Sequence, residues 1–348
     1  MVEIEAKKIE CPSCGADLRY LPHRLECHYC GHQEPFETEP YLYRFAPFES
    51  LEPNPTSKKY RCPSCGASFE SDSVSQLCPY CDTALVGEFI NPLKPRCVIP
   101  FVIEPVEAAK LLKKHIGSLW FAPSAFKESY SDYKALRGRY LPKWLFNTKV
   151  HVTYSGQRGI YYYVAVTRYV NGKAVRTNER RVRWYPVHGS VNLDFRYIDV
   201  NAKKDSDPAI ADFHFDFQSA KTIDDRYLSG HETKEYDLSS YEAFQLAQAS
   251  LHPAIRSAIR RDIGGDTQRI LSYDPRFYDV EMEHTLVPVY HASVLWDGKE
   301  YDFYIDGMDG EVVGDRPYSW LKIALAVVFI LALVAGGLYL ADRYGYLQ

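Results

Sequence analysis

The chain has 348 residues, of which 46% are hydrophobic and 25% are charged, so it can hold more than one domain and bury a core. Its net charge is only −4, and residues 1–90 carry eight Lys or Arg against fourteen Asp or Glu, a net of −6. Because nucleic acids attract basic surfaces, this acidic segment argues against a nucleic-acid-binding function.

The N-terminal segment contains eight cysteines in two sets of paired Cys-x-x-Cys motifs. Both sets leave twelve residues between their pairs and open on Cys-Pro-Ser-Cys-Gly, and the second set follows the first by 51 residues. One small unit therefore occurs twice. Its cysteines are Cys11, Cys14, Cys27 and Cys30 in the first unit and Cys62, Cys65, Cys78 and Cys81 in the second unit.

This spacing predicts two zinc ribbons. A Cys-x-x-Cys turn directs two thiolates at one centre, and two such turns make the tetrahedral four-sulfur site that is typical of structural zinc. Glycine follows three of the four pairs, as Gly15, Gly31 and Gly66, and Asp82 takes that place in the fourth. We expect two structural Zn²⁺ ions per chain, since four thiolates leave no open position for water or substrate.

A disulfide framework, a redox dithiol and a rubredoxin-like iron site are the alternatives to zinc. Residues 1–10 carry three glutamates and no apolar stretch, so no secretory signal is predicted and the reducing cytoplasm is expected. His28 and His32 flank the first unit; we predict surface positions for them, and the alternative is that one replaces a cysteine ligand. Cys97, in an apolar run, is predicted to be a buried thiol.

The region after the ribbons predicts a mixed body of helices and antiparallel strands. Apolar residues at helical spacing predict a helix over 106–116. Alternation with a period of two then predicts strands from Lys149 to Tyr197, with a tight hairpin turn at Asn171-Gly172.

A second helix is predicted over 239–263. Asp237 or Ser239 caps its start, Gly264-Gly265 ends it, and Pro253 is expected to divide it. Three short strands joined by glycine turns then complete the body, over residues 286–296, 300–305 and 311–313.

Residues 323–341 are nineteen consecutive uncharged residues, about the length that a helix needs to cross roughly 30 Å of hydrocarbon. Trp320 and Tyr339 lie near the ends, where aromatic side chains prefer the membrane interface. The sequence therefore predicts one transmembrane helix, with a buried core helix as the alternative. Thiolate zinc sites favour a cytoplasmic location for the bulk of the chain in this single-pass arrangement.

Two polar clusters are candidate catalytic groups. Asp212, His214 and Asp216 alternate with three phenylalanines, so a strand would place them on one face that a metal could occupy; we predict a plain solvated face. The second cluster, which consists of Glu281, Glu283 and His284, is predicted to be an exposed strand edge. No Walker-type, G-x-S-x-G or H-E-x-x-H motif occurs, and we do not expect an enzyme.

The run of three tyrosines at 161–163 is the remaining nucleic-acid candidate, because such side chains can stack on bases. Four arginines follow within residues 176–183. The tyrosine run itself lacks interleaved basic residues, so we interpret it as sheet tyrosines that keep one end in water.

The chain resembles a bacterial family of membrane proteins with tandem TFIIB-type, CPxCG zinc ribbons, often labelled primosomal or replication-helicase-like through those ribbons. The resemblance covers nearly the whole chain and includes the C-terminal membrane helix. Four strings and their order carry most of it, namely Cys97-Val98-Ile99-Pro100-Phe101, Tyr140-Leu141-Pro142-Lys143-Trp144-Leu145-Phe146, Leu286-Val287-Pro288-Val289-Tyr290 and Gly307-Met308-Asp309-Gly310-Glu311-Val312-Val313-Gly314-Asp315. It implies a membrane anchor associated with flotillin-like and phage-shock-type envelope-stress proteins. A helicase would need ATPase motifs, which this sequence lacks.

The sequence thus predicts an α+β protein. The predicted organisation is ribbon 1 over 1–40, a linker over 41–57, ribbon 2 over 58–90, the soluble body over 91–318, the transmembrane helix over 319–341 and a tail over 342–348. The expected function is a non-enzymatic scaffold that recruits protein partners to the cytoplasmic face of the cell membrane. The alternative is a membrane-tethered nucleic-acid-binding protein, although nucleic acid is not an expected partner.

Overall fold

The computed structural model of the protein describes residues 2–53, 58–89, 93–129, 136–170, 173–204, 210–211 and 213–343. The predicted turn at Asn171-Gly172 and the candidate residue Asp212 lie outside these ranges. The described helices are α1 (Pro105–Ser118), α2 (Ser124–Ser129), α3 (Asp225–Leu228), α4 (Ser240–Ile263) and α5 (Trp320–Arg343).

The described strands near the cysteines are short, and three strands of the body are much longer than all the others. They are β1 (Val2–Glu5), β2 (Leu18–Leu21), β3 (Arg24–Cys27), β4 (Gln33–Pro35), β5 (Ala46–Pro47), β6 (Lys58–Arg61), β7 (Ser68–Ser71), β8 (Ser73–Leu77), β9 (Ala84–Val86), β10 (Cys97–Val98), β11 (Arg137–Val170), β12 (Lys173–Asn201), β13 (Lys221–Thr222), β14 (Glu232–Lys234), β15 (Thr267–Trp296), β16 (Lys299–Asp306) and β17 (Val312–Gly314).

These strands form three sheets. One small antiparallel sheet has the order β2–β3–β4, and in the other β1 pairs in parallel with β6 and β6 pairs antiparallel with β7. The β8–β9 hairpin, which carries the last two cysteines of the second unit between its strands, belongs to the large eleven-stranded sheet because β8 pairs with β14. The second cysteine unit is therefore built directly onto the body.

Three long antiparallel strands dominate the large sheet. β11 has 34 residues, β12 has 29 and β15 has 30. β15 stops pairing at Thr267, opposite Gly159 of β11, whereas β12 stays paired with β11 as far as Val170. A two-stranded ribbon, which we call the hairpin tip (residues 160–170 and 173–183), therefore projects beyond the third strand. At about 3.3 Å per residue, β11 extends roughly 110 Å along its path.

Helix α4 covers one face of these strands. Val150, Val152 and Tyr154 alternate along β11 and are buried, while the residues between them are more exposed. They pack against the apolar side of α4, which consists of Leu251, Ile255, Ile259 and Ile263. The predicted alternation of the strands and the helical spacing of this segment are both confirmed.

The ends of α4 follow the predicted capping signals. The Ser239 hydroxyl accepts a hydrogen bond from the Glu242 N–H (3.2 Å), and the Glu242 carboxylate accepts one from the Ser239 N–H (3.1 Å). Gly264, at φ +66°, ends the helix. The expectation that Pro253 divides the helix is wrong: α4 is continuous, because apolar residues on both sides of the proline pack into the same core.

Residues 41–53, predicted as a linker, lie along the body. Within them β5 pairs with β15, the Phe48 N–H donates to the Val280 carbonyl (2.9 Å), and the Tyr41 N–H donates to the Ala220 carbonyl (2.8 Å).

Helix α5 is the C-terminal apolar helix. Its residues Trp320–Ala341 are long and apolar enough to cross a membrane, and the apolar part is not buried within the described structure. Its start is fixed to the body, since the Ser319 N–H donates to the Phe121 carbonyl (2.7 Å) and Lys322 Nζ donates to the Ala122 carbonyl (2.7 Å).

The prediction of an exposed edge at residues 281–284 is wrong for two of its members. β15 lies between β11 and β10 at this point, so Glu283 and His284 are only 4% and 8% exposed. Glu283 accepts a hydrogen bond from the Tyr41 hydroxyl (3.0 Å), and His284 Nδ1 lies 3.2 Å from the Tyr236 hydroxyl.

Residues 213–217 do not form the expected strand. They run without regular structure into a short 3₁₀ turn at Phe217–Ser219, where the Asp216 carboxylate accepts a hydrogen bond from the Gln218 N–H (2.9 Å). His214 and Asp216 are exposed while Phe213 and Phe215 are buried. The alternation of exposure is therefore present, and it arises from a loop whose phenylalanines pack onto the sheet.

We predict that acidification destabilises the protein through two buried histidines. Burial disfavours the charged imidazole and lowers the pKa of His231 and of His284 to about 4. Unfolded histidine titrates near pH 6.5, so between pH 6.5 and 4 the unfolded chain binds protons that the folded chain excludes; each histidine then costs about 1.4 kcal/mol of stability per pH unit.

The buried carboxyl of Asp306 acts in the opposite direction, because burial raises its pKa to about 7 and the folded chain takes up this proton before the unfolded chain does. The melting temperature of the detergent-solubilised protein should therefore fall from pH 6.5 to pH 5, and it should fall more steeply in Asp306→Asn. His284→Gln should remove one histidine's contribution to this fall, whereas His188→Gln, at an exposed position, should leave it unchanged. An Asp306→Asn variant whose melting temperature is flat over this range would contradict the assignment of two neutral buried histidines.

Candidate metal centres

Each Cys-x-x-Cys pair lies in a tight turn whose next residue takes the left-handed backbone conformation. The φ angle is +76° at Gly15, +73° at Gly31 and Gly66, and +60° at Asp82. In every turn the N–H of this residue donates to the carbonyl of the first cysteine, at 2.9 to 3.0 Å. Aspartate is among the few residues that tolerate this conformation, so the fourth turn keeps the geometry that glycine gives the others.

The four sulfur atoms of each unit converge on one point. All Sγ atoms of a unit lie within 4.8 Å of one another. The close Sγ–Sγ distances are 3.7 Å for Cys11 and Cys30, 3.6 Å for Cys14 and Cys27, 3.6 Å for Cys62 and Cys81, and 3.9 Å for Cys65 and Cys78.

These distances fit a four-thiolate metal site. With a Zn–S bond of about 2.3 Å, the sulfurs of a tetrahedral site lie about 3.8 Å apart. A disulfide bond would require about 2.05 Å, and all eight cysteines are free thiols in this structure. The eight sequence-predicted cysteines are thus brought together as two groups of four, compatible with tandem zinc ribbons. The same donor set suits iron, so elemental analysis decides the identity of the metal.

The two histidines beside the first unit lie outside its group of sulfur ligands. Among the described residues, the group of potential ligands there contains cysteines alone. His28 is exposed, and His32 Nδ1 lies 3.2 Å from the Ser13 hydroxyl. The prediction that both are surface side chains is confirmed for His28; His32 is partly buried beside Ser13.

Hydrogen-bond donors favour the thiolate form of one cysteine in each unit. The N–H of Cys30, helped by that of Tyr29, lowers the pKa of Cys27 to about 7 against the opposing effect of burial. Burial also opposes ionisation of Cys81, but the hydroxyl and N–H of Thr83 outweigh it and lower the pKa of that thiol to about 7. Cys27 and Cys81 can therefore bind a metal ion at neutral pH with little cost for proton release. Although the Ala16 N–H favours the Cys14 thiolate, desolvation and hydrogen bonds with the other cysteines raise the pKa of Cys14 and of Cys78 to about 12, so metal binding must displace protons from these two thiols.

The first unit is continuous with the core of the body. Cys11 and Cys27 belong to the same buried cluster as Phe101 and Tyr140. The Tyr20 N–H donates to the Ser229 carbonyl (2.9 Å), which attaches the ribbon to the chain after α3.

Arg19 connects the two units to each other. Its Nη2 donates to the carbonyl (2.6 Å) and to the carboxylate (2.9 Å) of Asp82, and its Nε donates to Asp17 (3.2 Å). Sequence reasoning treated Asp82 only as a departure from glycine and did not identify this link, because nothing in the local pattern indicates that residues 63 positions apart meet.

Two exposed tyrosines were also missed. Tyr29 and Tyr80 each stand directly before the last cysteine of their unit, and they are 85% and 69% exposed. The signal was present in the sequence, since both copies of the repeat carry tyrosine at the same position. Each ribbon therefore presents one aromatic ring beside its metal-binding turn.

The ninth cysteine is a structural thiol. Cys97 is fully buried on β10, and burial raises the pKa of its thiol to about 12. The predicted buried position of Cys97 is confirmed, and a thiol of this pKa is a poor nucleophile at neutral pH.

The chemistry of the two centres is structural. When bound, a metal ion would crosslink two turns of backbone in each unit through Cys11, Cys14, Cys27 and Cys30 or through Cys62, Cys65, Cys78 and Cys81. Four thiolates complete a tetrahedral shell, which leaves no position for a reacting water molecule. Each unit has strands of only three to five residues, so metal binding supplies much of the free energy that orders it.

We predict two zinc ions per chain in the purified wild-type protein. Cys62→Ser combined with Cys65→Ser should bind one, because two thiolates cannot retain a structural zinc ion. Cys97→Ala should still bind two and serves as the control for loss of a cysteine. Inductively coupled plasma mass spectrometry measures all three, and a wild-type protein with no metal or with iron would contradict the zinc assignment.

No protein-family model matches the chain. The chain is similar to YdjG, an uncharacterized protein of Bacillus subtilis (strain 168), with 27% identity over 339 residues that cover 95% of this chain and 95% of that protein. No solved structure matches it.

Proposed function

We propose that the protein is a non-enzymatic membrane-anchored scaffold. Helix α5 crosses the cell membrane once, and the body with its two metal-crosslinked units lies on the cytoplasmic side. The observation that carries this proposal is the combination of two closed four-cysteine groups with an apolar helix fixed to the same body. Closed sites crosslink the chain and do no chemistry, and the helix holds the resulting surface at the bilayer.

The surface that we assign to partner binding is formed by the two ribbons. Tyr29 and Tyr80 are exposed at equivalent positions, and tyrosine is enriched among the few residues that dominate the binding energy of protein interfaces. Residues 1–90 are acidic overall, which favours a partner with a basic surface. The Arg19–Asp82 contact holds the two ribbons at a fixed separation, so they can act as one bivalent surface.

The family resemblance supplies the candidate partners. Flotillin-like and phage-shock-type proteins act at the membrane surface, where a tethered scaffold is in the right place to recruit them. We therefore propose a role in envelope stress, with recruitment through the ribbons as its physical basis.

Recruitment can be tested with a fluorescent phage-shock-type protein in living cells. Tyr29→Ala combined with Tyr80→Ala should release it from the membrane, because both aromatic contacts are lost while all eight cysteines remain. Tyr241→Ala, at a tyrosine on α4 that is 53% exposed, is the control and should leave the partner in place. If the double variant and the wild type hold equal amounts of the partner at the membrane, the tyrosines of the ribbons do not form the partner surface.

Anchoring is tested separately by alkaline carbonate extraction of membranes. The full chain should stay in the pellet, and a chain that ends at residue 318 should enter the supernatant. Extraction of the full chain would contradict a spanning helix.

A second candidate function is binding of single-stranded nucleic acid by the hairpin tip, which contains six Lys or Arg and one Glu. Arg180 lies over the Tyr161 ring (4.4 Å to the centroid), Arg183 lies over the Tyr162 ring (5.3 Å), and Tyr163 is 67% exposed. Basic grooves with stacking rings bind single strands without base specificity.

Fluorescence anisotropy with a labelled single-stranded oligonucleotide tests this second candidate. Arg180→Gln combined with Arg181→Gln should weaken binding and reduce the salt slope by about 1.4, since each phosphate contact contributes about 0.7 for single strands. Lys113→Gln combined with Lys114→Gln removes the same charge from α1 and should have no effect. Absence of wild-type binding at physiological salt would reject this function.

A further inference from the structure

A groove of about 580 Å³ lies where α5 leaves the body. One wall belongs to the body and the other to α5. The groove is lined by Trp120 and Lys127 on the body and, among others, by Lys322, Leu325, Phe329 and Ile330 on α5. From Lys322 to Ile330 the helix rises by about 12 Å, so the groove follows it for roughly two turns.

The far end of the groove is apolar. Leu325, Phe329 and Ile330 are 61%, 64% and 57% exposed, and in the described residues no element of the body covers them. Three large apolar side chains in a row would be costly to expose to water. They are suited to a hydrocarbon chain that lies along the helix.

The near end of the groove carries two ammonium groups. Lys127 Nζ donates to the Gly117 carbonyl (2.8 Å), and Lys322 Nζ donates to the Ala122 carbonyl (2.7 Å). Each ammonium has three donors, so two remain on each lysine after these bonds. Within the described residues neither lysine forms an ion pair with a carboxylate, so both ammonium groups have donors left for an anion.

Trp120 lines the groove, and Tyr318 and Trp320 lie two to four residues before Lys322 in the chain. Trp120, Tyr318 and Trp320 are 75%, 60% and 78% exposed. Trp and Tyr prefer the level of the lipid head groups, where the ring is partly apolar and the polar edge meets water. This places the two ammonium groups at the depth of the lipid phosphates.

We propose that this groove binds one anionic phospholipid, with its phosphate on Lys127 and Lys322 and an acyl chain along Leu325, Phe329 and Ile330. The proposal rests on the proposed membrane span of α5. A free phosphate would use the lysines but not the apolar end, and an apolar helix would use that end but leave the charges unpaired. A phospholipid satisfies both ends at once.

The consequence for function is a fixed orientation of the body. A lipid that contacts both α2 and α5 crosslinks the first turns of the helix to the body at the bilayer surface. The bound lipid would then reinforce the two hydrogen bonds that join the start of α5 to the body. The anionic lipid content of the membrane would thereby determine the orientation of the ribbons relative to the bilayer.

Native mass spectrometry of the full chain in delipidating detergent tests the proposal. Phosphatidylglycerol and phosphatidylcholine with identical acyl chains are titrated separately. The wild type should bind the anionic lipid at least tenfold more tightly. Lys127→Gln combined with Lys322→Gln should lose about fivefold per lysine for the anionic lipid only, since a surface lysine contributes about that factor.

Two variants control for charge and folding. Lys127→Arg combined with Lys322→Arg keeps the charges and should keep the preference. Lys113→Gln combined with Lys114→Gln removes two exposed charges from α1 outside the groove and should also keep it. Loss of the preference in this α1 variant would show a nonspecific effect of net charge and overturn the proposal.

Three other outcomes would also overturn it. Equal affinity of the wild type for both lipids would show that the two lysines do not select an anionic lipid. Competition by soluble glycerol 3-phosphate at the affinity of the lipid would assign the lysines to a free phosphate. A lipid-independent dimer that the Phe329→Ala variant disrupts would assign the groove to a second copy of the chain.

Membrane extraction separates this proposal from the proposed function. All variants should remain in the alkaline-resistant membrane pellet. A pellet-bound protein without lipid preference would reject the groove and leave the anchor intact, whereas an extractable wild-type protein would reject both.

Discussion

The convergence of four thiolates at each of two centres is the constraint on which the N-terminal 90 residues depend. The strands around the cysteines have three to five residues and would not hold a fold on their own. A metal ion crosslinks the two turns of each unit, and the left-handed residues Gly15, Gly31, Gly66 and Asp82 set the turns that aim the sulfurs. A fixed ribbon then positions Arg19 against Asp82, and this contact couples one centre to the other.

From these centres the structure is continuous to the C-terminal apolar helix α5. The first unit shares its core with β11 and with α1, and the segment between α1 and α2 holds the start of α5 through the carbonyls of Phe121 and Ala122. The second unit enters the large sheet through β8. The long strands then carry the hairpin tip away from this region. A rigid path from metal site to apolar helix is what a scaffold at a membrane surface requires, because a flexible path would let its docking surface average over all orientations.

Features that depend on neighbours in sequence were predictable, and features that depend on distant contacts were not. Cysteine spacing, the Ser239 cap and the apolar run of α5 are local, and the structure has all three. Pro253 was misjudged because packing on both sides outweighs the helix-breaking tendency of proline. Glu283 looks exposed in the sequence, yet the neighbouring β10 and the residues after the first ribbon bury it, and no local pattern shows which strands will be neighbours.

Zinc K-edge X-ray absorption of the full-length protein tests the central claim most directly, because it reports the identity and number of ligand atoms at the metal. If both centres are closed four-thiolate sites, each zinc ion should have four sulfur neighbours at about 2.3 Å and no nitrogen or oxygen neighbour. A spectrum with one or more nitrogen or oxygen neighbours per zinc would show an open or histidine-containing site. That result would contradict the structural role from which the scaffold function is inferred.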